Sequence, residues 1–158
     1  MADRLRADGS LALPTMLLAD ASAEYRAMAQ HALLEARNAT DLRLVRDGGE
    51  LVSYLRRAGA FAGPTFPRPR LIVLDADLPG EPPGLQAVTA IKRDAALRRI
   101  PIVALGSDDT PEAVARAYEA GVNTYIVKPV TFLALVRLMK VFTAYWLDTA
   151  ELPQSDGA

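Results

Sequence analysis

Three ionisable side chains stand where short apolar runs of the sequence end. Asp20 follows the run PTMLLA, Asp75 closes the run LIVLD, and Lys128 follows the run TYIV. Two neighbouring carboxylates repel each other, which raises the pKa of one of them unless a cation keeps both ionised. Mg²⁺ can do so with hard oxygen ligands while it keeps water positions open to a phosphate. A carboxylate in such a site can attack phosphorus to form an aspartyl phosphate, and a lysine ammonium can neutralise a phosphoryl oxygen during the transfer.

The elements that would position these side chains follow from the alternation of apolar runs with helical periodicities. The predicted strands are Pro14–Ala19, Asp41–Arg46, Leu71–Asp75, Ile100–Leu105 and Thr124–Val127. The first two predicted helices run from a cap at Ser22 to about Arg37 and over Glu50–Arg57, and the third runs from about Leu85 to Ala95. The fourth has its cap at Thr110, Pro111 as its first residue and Gly121 just past its end. The fifth runs from Thr131 to about Leu147. This alternation predicts an α/β fold, a doubly wound five-stranded parallel sheet with helices on both faces. Since ligands bind beyond the carboxyl ends of the strands in such sheets, the two carboxylates and the lysine are expected to meet in one crevice.

The composition indicates one globular domain and argues against several kinds of site. Of the 158 residues 51% are hydrophobic, the net charge is −1 and there is no cysteine. Disulfides, thiolate metal sites and cysteine nucleophiles are therefore excluded, and no basic footprint for nucleic acid is expected. No stretch approaches the roughly 20 apolar residues that a membrane span needs. We predict a domain at 14–152 between flexible tails at 1–13 and 153–158.

The amino-terminal segment superficially resembles a secretory leader. Arg4 and Arg6 precede an apolar run and the small residues ASA, which is the order of such a leader. However, Asp3 and Asp8 reduce the positive charge of this segment, and Pro14 interrupts the apolar run. The same run is a good first strand, so we expect a cytoplasmic protein that does not associate with membranes.

Three segments of the chain resemble the signature segments of response-regulator receivers. They are LLADAS, LIVLDADLPG and NTYIVKPV, and their order and spacing match that family from roughly Thr15 to Leu147. The resemblance implies a flavodoxin-like fold with strand order 2-1-3-4-5. It also implies that Asp75 is the phosphoacceptor and that Asp20, Asp75 and the backbone carbonyl of Asp77 bind Mg²⁺.

The third of these segments carries two further implications. Lys128 becomes the cation that binds the phosphoryl group, and the resemblance implies a cis bond between Lys128 and Pro129, whereas only about 5–6% of X-Pro bonds are cis. Tyr125 falls at the aromatic switch position of the family. The alternative for Tyr125 is an aromatic side chain packed on an ordinary strand.

The sequence departs from the family pattern at two positions. Ala19 precedes Asp20 where receivers usually carry a second acid, and Gly106 stands at the end of strand four where they usually carry Thr or Ser. Ser107 follows, and we assign it to phosphoryl binding, although its side chain should point to the opposite face of the strand. A missing supporting acid typically costs a metal site about 10–100-fold in affinity. We therefore expect weak coupling between Tyr125 and phosphorylation, and a degenerate pseudo-receiver that is not regulated by phosphorylation remains an alternative.

A narrower resemblance concerns partners. The Pro-containing segment Gly59–Arg70, which is long for a loop, and the ending AYWLDTAELP are similar to single-domain response regulators of phytochrome-type histidine kinases. This similarity implies a red-light sensor kinase, a bacteriophytochrome, as phosphate donor or phosphatase. It also implies a homodimer through helix four, strand five and helix five. His31, the single histidine, is expected on the surface because receivers accept phosphate from a histidine of the partner.

The last predicted helix supports the homodimer independently. Apolar side chains recur along it at helical spacing and cover more of its surface than one sheet face requires, so something must cover them. The alternative is a helix buried by the tail of its own chain. The predicted dimer-interface residues are Val136, Met139, Phe142, Tyr145 and Trp146.

The competing hypothesis from another class is an enzyme. Asp75-Ala76-Asp77 after an apolar strand also resembles the motif of haloacid-dehalogenase-type phosphatases, in which the second Asp is a general acid. Pro79 stands where those enzymes usually have Thr or Val, and that plan leaves Asp20 without a role. We therefore predict a stand-alone two-component response regulator, not an enzyme, that signals through protein–protein interactions.

Overall fold

Strands and helices alternate throughout the computed structural model, which describes residues 12–37, 39–63 and 65–153. Within them the strands are β1 (Thr15–Ala19), β2 (Asp41–Val45), β3 (Leu71–Asp75), β4 (Ile102–Gly106) and β5 (Thr124–Val127). The α-helices are α1 (Ala23–Glu35), α2 (Gly48–Arg56), α3 (Gly84–Arg93), α4 (Pro111–Ala120) and α5 (Phe132–Phe142). A 3₁₀ turn spans Gly59–Phe61, and a π-helical segment, Thr143–Thr149, continues α5. Most of the predicted tails at 1–13 and 153–158 lies outside the described residues.

The strands form one sheet in the order β2-β1-β3-β4-β5, and every pair of neighbouring strands is parallel. This confirms the predicted flavodoxin-like fold. Strands β1 and β4 are buried along their whole length, and β3 is buried up to its last residue. Their continuous apolar sequences follow from helices that cover both faces of the sheet.

Each face of the sheet carries its own apolar core. Alternate residues of a strand point to opposite faces, so Leu17 belongs to one core and Leu18 to the other. The first core includes the buried residues of α2 and α3, and the second includes those of α1 and α5. Helices α1 and α5 therefore lie on the same face of the sheet.

Local capping chemistry sets where most helices begin. The hydroxyls of Ser22, Thr110 and Thr131 each accept a hydrogen bond from a backbone N–H in the first turn of the helix that follows, as N-cap residues do. Helix α4 begins at Pro111 and ends before Gly121, as predicted, with Gly121 in the left-handed conformation at φ 115°. No helix of the described residues is long and apolar enough to cross a membrane.

The long segment between α2 and β3 packs against α2. Tyr54 of α2 meets Phe61 and Phe66 with ring centroids 5.4 and 5.8 Å away, and the two phenylalanine rings are 5.2 Å apart. The Tyr54 hydroxyl donates a hydrogen bond of 2.8 Å to the carbonyl of Pro67. Part of this segment therefore has a packing role in the core.

Helix α5 requires a correction to the predicted dimer interface. Val136, Met139 and Phe142 are only 7%, 1% and 2% exposed, because they pack in the core between α1, α5 and the sheet. They are not available to a partner, so their assignment to the interface was wrong. Tyr145 is 54% exposed, and Trp146 packs partly against the core, with its ring edge-on to Tyr145.

Candidate functional site

Asp20, Asp75 and Lys128 meet at the carboxyl edge of the sheet. The Lys128 Nζ lies 2.6 Å from Asp20 Oδ2 and 2.9 Å from Asp75 Oδ2. Strands β1 and β3 are neighbours and bring the two carboxylates together, whereas β5 lies two positions from β3 in the sheet. The long lysine side chain spans that gap, and one ammonium thus bridges both carboxylates.

Backbone groups fix the remaining oxygen of each carboxylate. Asp20 Oδ1 accepts a hydrogen bond of 2.9 Å from the backbone N–H of Ser22, and Asp75 Oδ1 accepts one of 2.8 Å from that of Asp77. Arg26 donates a hydrogen bond of 2.7 Å to the backbone carbonyl of Asp20. Asp20 is 2% exposed. Such charge-assisted contacts hold the ionised carboxylates in one orientation.

The charge of Lys128 is stabilised by its two partners. Burial opposes the charged ammonium, but hydrogen bonds to Asp20 and Asp75 outweigh that effect, and the pKa of Lys128 is raised. Lys128 is therefore charged at neutral pH. The site combines this one ammonium with two carboxyl groups, and a pair of carboxylates suits a cation.

Tyr25, which the sequence analysis did not identify, contacts the lysine from the side of α1. Its ring centroid lies 4.1 Å from Lys128 Nζ, and its hydroxyl donates a hydrogen bond of 2.9 Å to the backbone carbonyl of Pro129. Burial, more than the nearby carboxylates, raises the pKa of Tyr25 to about 12, against the opposing effect of Lys128. The sequence signal that could have identified Tyr25 is its position three residues after Ser22, in the helix turn that follows the carboxyl end of β1.

Tyr125 lies against Gly106. A Cβ built on Gly106 would overlap the hydroxyl and the ring of Tyr125, so this ring occupies the space that a side chain at position 106 would need. The Tyr125 hydroxyl donates to the backbone carbonyl of Asp108. Burial is the first cause, and the charge of Asp108 the second, of the raised pKa of Tyr125. Ser107 follows β4 and its side chain is exposed.

The bond between Lys128 and Pro129 corrects another expectation. In the described residues the cis peptide bond is Glu81–Pro82, and Lys128–Pro129 is trans. Lys128 reaches both carboxylates from this trans bond, and the Tyr25 hydroxyl holds the Pro129 carbonyl. The prediction of a cis bond was wrong. The site forms with the trans isomer, which at X-Pro bonds is favoured over the cis isomer by about 0.5–1 kcal/mol.

The oxygen donors present fit a magnesium ion that keeps much of its water. In the part of the chain that the structure describes, no group of three or more His, Cys, Asp or Glu side chains is arranged so that it could hold a metal ion. The candidate ligands are the Asp20 and Asp75 carboxylates together with the Asp77 carbonyl, which are all hard oxygens. Mg²⁺ commonly binds through one or two carboxylates and retains several waters. Ala19, where a second acid would stand, is fully buried and contributes no ligand.

Comparison with known proteins finds similar proteins over most of the chain. Residues 16–140 match the family model described as the response regulator receiver domain. Response regulator Rcp1 of Synechocystis sp. is 31% identical over 138 residues, which cover 87% of this chain and 91% of that protein.

Solved structures extend the comparison. The phosphorylated cyanobacterial phytochrome response regulator RcpA is 33% identical with a TM-score of 0.80, and the match covers 90% of this chain and 100% of that one. A response regulator in red light signaling of R. palustris is 28% identical with a TM-score of 0.82, over 90% of this chain and 99% of that one. The Mn(2+)-bound form of Rcp1 is 30% identical with a TM-score of 0.77, over 89% and 99%.

Proposed function

The chain belongs to the response regulator receiver family, whose members are signalling proteins, and on this premise we propose that Asp75 accepts a phosphoryl group from a sensor histidine kinase. The observation that carries the proposal is the Lys128 ammonium between the Asp20 and Asp75 carboxylates. This arrangement combines a fixed nucleophile with a cation beside it at the carboxyl edge of a parallel sheet. The similar phosphorylated RcpA structure supports it.

In the proposed transfer, an oxygen of the Asp75 carboxylate forms a bond to phosphorus while the nitrogen–phosphorus bond of the donor histidine breaks. The donor histidine keeps the electron pair of that bond, and the phosphoryl oxygens bring negative charge to the site. Lys128 exchanges its contact with Asp75 for one of these oxygens, which neutralises part of the charge. When bound by Asp20, Asp75 and the Asp77 carbonyl, Mg²⁺ would stabilise the remaining charge.

The proposed donor is a phytochrome-type histidine kinase. RcpA is a cyanobacterial phytochrome response regulator, and the R. palustris relative acts in red light signaling. Both resemble this chain over nine-tenths of its length. The proposed location is the cytoplasm, where ATP supplies such kinases, and no nucleic acid is proposed as a partner.

The proposed assembly is a homodimer through α4, β5 and α5. The outer face of β5 and α5 has a shallow apolar groove between the strand and the helix. Contiguous exposed apolar surface commonly marks an interaction site, and a two-fold contact would pair the same surface on both copies. The apolar side chains exposed in and around β5, α5 and the π-helical segment are Val127, Val130, Phe132, Leu133, Val141 and Tyr145.

The pseudo-receiver remains the second candidate, and one observation favours it. Tyr125 is already packed against Gly106 and bonded to Asp108, so protein groups alone fix its position. A ligand shifts a conformation only by its differential free energy between the two states. If the position of Tyr125 does not depend on the phosphoryl group, phosphorylation causes a smaller conformational change at Tyr125.

Phosphotransfer tests the proposed function. Wild type and Asp75→Asn are incubated with Mg²⁺ and a small acyl phosphate, or with a phosphorylated phytochrome-type kinase, and phosphate adducts are detected by mass spectrometry. We expect an adduct on wild type that requires Mg²⁺ and none on Asp75→Asn. Asp77→Asn keeps its backbone carbonyl and should retain most of the uptake, whereas a phosphatase that uses Asp77 as general acid would lose its turnover.

An unmodified wild type contradicts the proposal when the kinase is shown to be active and Mg²⁺ is saturating. That outcome supports the unphosphorylated interaction module. An adduct that forms equally on Asp75→Asn would instead show that another residue is the acceptor.

A further inference from the structure

Tyr25 makes two separate contacts with the chain segment that carries Lys128. Its ring lies 4.1 Å from the Lys128 ammonium, and its hydroxyl donates to the Pro129 carbonyl at 2.9 Å. Tyr25 is 9% exposed, so these contacts are largely shielded from water. Since Tyr25 and Pro129 are 104 positions apart in sequence, the contacts join α1 to the loop after β5.

The ring contact stabilises a cation. An ammonium within about 6 Å of an aromatic centroid is attracted to the ring, and more strongly when both groups are desolvated. The Lys128 side chain is 17% exposed. The ring therefore lies against one side of the ammonium, and the Asp20 and Asp75 carboxylates hold other sides.

The hydroxyl contact fixes the backbone from which the lysine extends. Pro129 has no N–H, so its carbonyl is the only main-chain hydrogen-bonding group of this residue. The pKa of Tyr25 is about 12, so the phenol keeps its proton and remains a donor at neutral pH. The backbone N–H of Lys128 donates to the Gly106 carbonyl at 2.9 Å. Both sides of the Lys128–Pro129 bond are thus anchored.

We propose that Tyr25 is a positioning residue that holds the Lys128 ammonium between Asp20 and Asp75. Its consequence for phosphoryl transfer rests on the proposed function, because Lys128 is the group that meets the incoming phosphoryl oxygens. Without the ring, the flexible lysine side chain would occupy the site for a smaller fraction of the time. Tyr25 itself touches neither Asp75 nor the phosphoryl group in this proposal.

Lysine spectra test the contact without any phosphorylation. The chain has three lysines, Lys92, Lys128 and Lys140, so lysine labelled with ¹³C at its ε-carbon gives three methylene signals. The loss of one signal in Lys128→Arg assigns it. We expect the Lys128 protons upfield of the other two, because among the described residues the cation–π contact belongs to Lys128. Tyr25→Phe should keep this upfield shift and Tyr25→Leu should abolish it.

Phosphorylation rates test the consequence. At saturating Mg²⁺ and small acyl phosphate, Tyr25→Leu should lower the maximal rate by on the order of tenfold. Tyr25→Phe, which keeps the ring, should stay within about threefold of wild type. In a Lys128→Ala background, Tyr25→Leu should cause no further loss, since residues that act through one another are not additive.

Tyr54 offers a matched control on another helix. It is also a buried tyrosine with a pKa of about 12, and its hydroxyl donates to the carbonyl of Pro67. Tyr54→Leu therefore removes a comparable ring and hydrogen bond away from the site. It should leave the Lys128 signal and the phosphorylation rate unchanged.

Three outcomes would overturn the inference. The first is an upfield Lys128 signal that persists in Tyr25→Leu. The second is a further loss of phosphorylation rate when Tyr25→Leu is added to the Lys128→Ala background. The third is a loss of phosphorylation rate in Tyr54→Leu as large as that in Tyr25→Leu. A wild type that shows the upfield signal but takes up no phosphoryl group contradicts the proposed function alone. The lysine spectra then still decide whether Tyr25 holds Lys128.

Discussion

Lys128 and its two carboxylate partners show how single residues set the charge of the site. Asp20 and Asp75 would repel each other if both were ionised alone, but each has one oxygen on the lysine and the other on a backbone N–H. The Coulomb attraction and the hydrogen bonds act on the same atoms. At the residue scale, groups of this chain thus fix both carboxylates of the proposed phosphoryl-transfer site.

Gly106 and Tyr125 give the residue-scale prediction. Gly106→Ala adds a Cβ that would overlap the Tyr125 hydroxyl, so the ring should move away and lose its bond to the Asp108 carbonyl. Because burial is the main cause of the raised pKa of Tyr125, that pKa should fall towards its ordinary value. If the ring instead stays in place, overpacking should lower the free energy of unfolding by about 1–3 kcal/mol.

Tyrosine labelled with ¹³C at its ζ-carbon and titrated with base measures this pKa in wild type and variant. The control is Ser107→Ala, a change in the neighbouring exposed side chain, which should leave the Tyr125 titration unaltered. An unchanged Tyr125 pKa together with unchanged stability in Gly106→Ala would contradict the packing described here.

At the element scale, α1 and α5 serve the core and the site together. Ser22 caps α1 and also donates its backbone N–H to Asp20, and Tyr25 extends from the same turn to Lys128. The other buried residues of α1, namely Ala29, Ala32 and Leu33, are apolar and belong to the same core as the buried residues of α5. The position of Tyr25 over the site therefore depends on how α1 packs against α5 and the sheet.

The two sides of α5 give the element-scale prediction. Phe142 is buried, so Phe142→Ala should lower the free energy of unfolding by about 3–5 kcal/mol. Leu133 is 59% exposed, so Leu133→Ser should change stability little but weaken the proposed homodimer. Urea denaturation measures the first effect, and light scattering at micromolar concentration measures the second.

Leu34 provides the matched control for the exposed side of α5. It is 74% exposed on α1, outside the face formed by β5 and α5, so Leu34→Ser should leave assembly unchanged. A wild type that is monomeric with and without phosphorylation would contradict the homodimer. A Phe142→Ala variant of unchanged stability would contradict the burial of that side chain.

The whole molecule responds to alkaline pH through its buried phenols. Burial raises the pKa of Tyr25 and of Tyr54 from 10.0 to about 12, so the folded chain retains protons that the unfolded chain releases. The stability that these protonated phenols contribute is fully present below about pH 10 and is lost as the pH rises through about 12. Lys128, whose pKa is also raised, acts in the same direction.

We therefore expect the free energy of unfolding to fall as the pH rises from about 10 to about 12. Urea denaturation at a series of alkaline pH values measures the slope. Tyr54→Phe removes one of these linked protons and should make the fall less steep. An equal slope in wild type and Tyr54→Phe would contradict the linkage.

Much of the fold could be predicted from sequence because its signals are local. Strands covered on both faces must be apolar throughout, which identified Leu71–Asp75 with the bounds that the structure has. The Thr110 cap and Gly121 likewise predicted both ends of α4. The end of α5 could not be predicted, because its apolar pattern runs unbroken through the change to π-helix at Thr143.

By itself the sequence determined that Asp20, Asp75 and Lys128 meet, because parallel strands place their carboxyl ends at one edge of the sheet. Only the tertiary structure decided which groups surround them, with Tyr25 on the lysine and Tyr125 in the space beside Gly106. These contacts join segments far apart in the chain, and their geometry depends on how whole helices pack. For the same reason the apolar pattern of α5 could not show which side chains face its own core, since burial by the chain and burial by a partner need the same residue types.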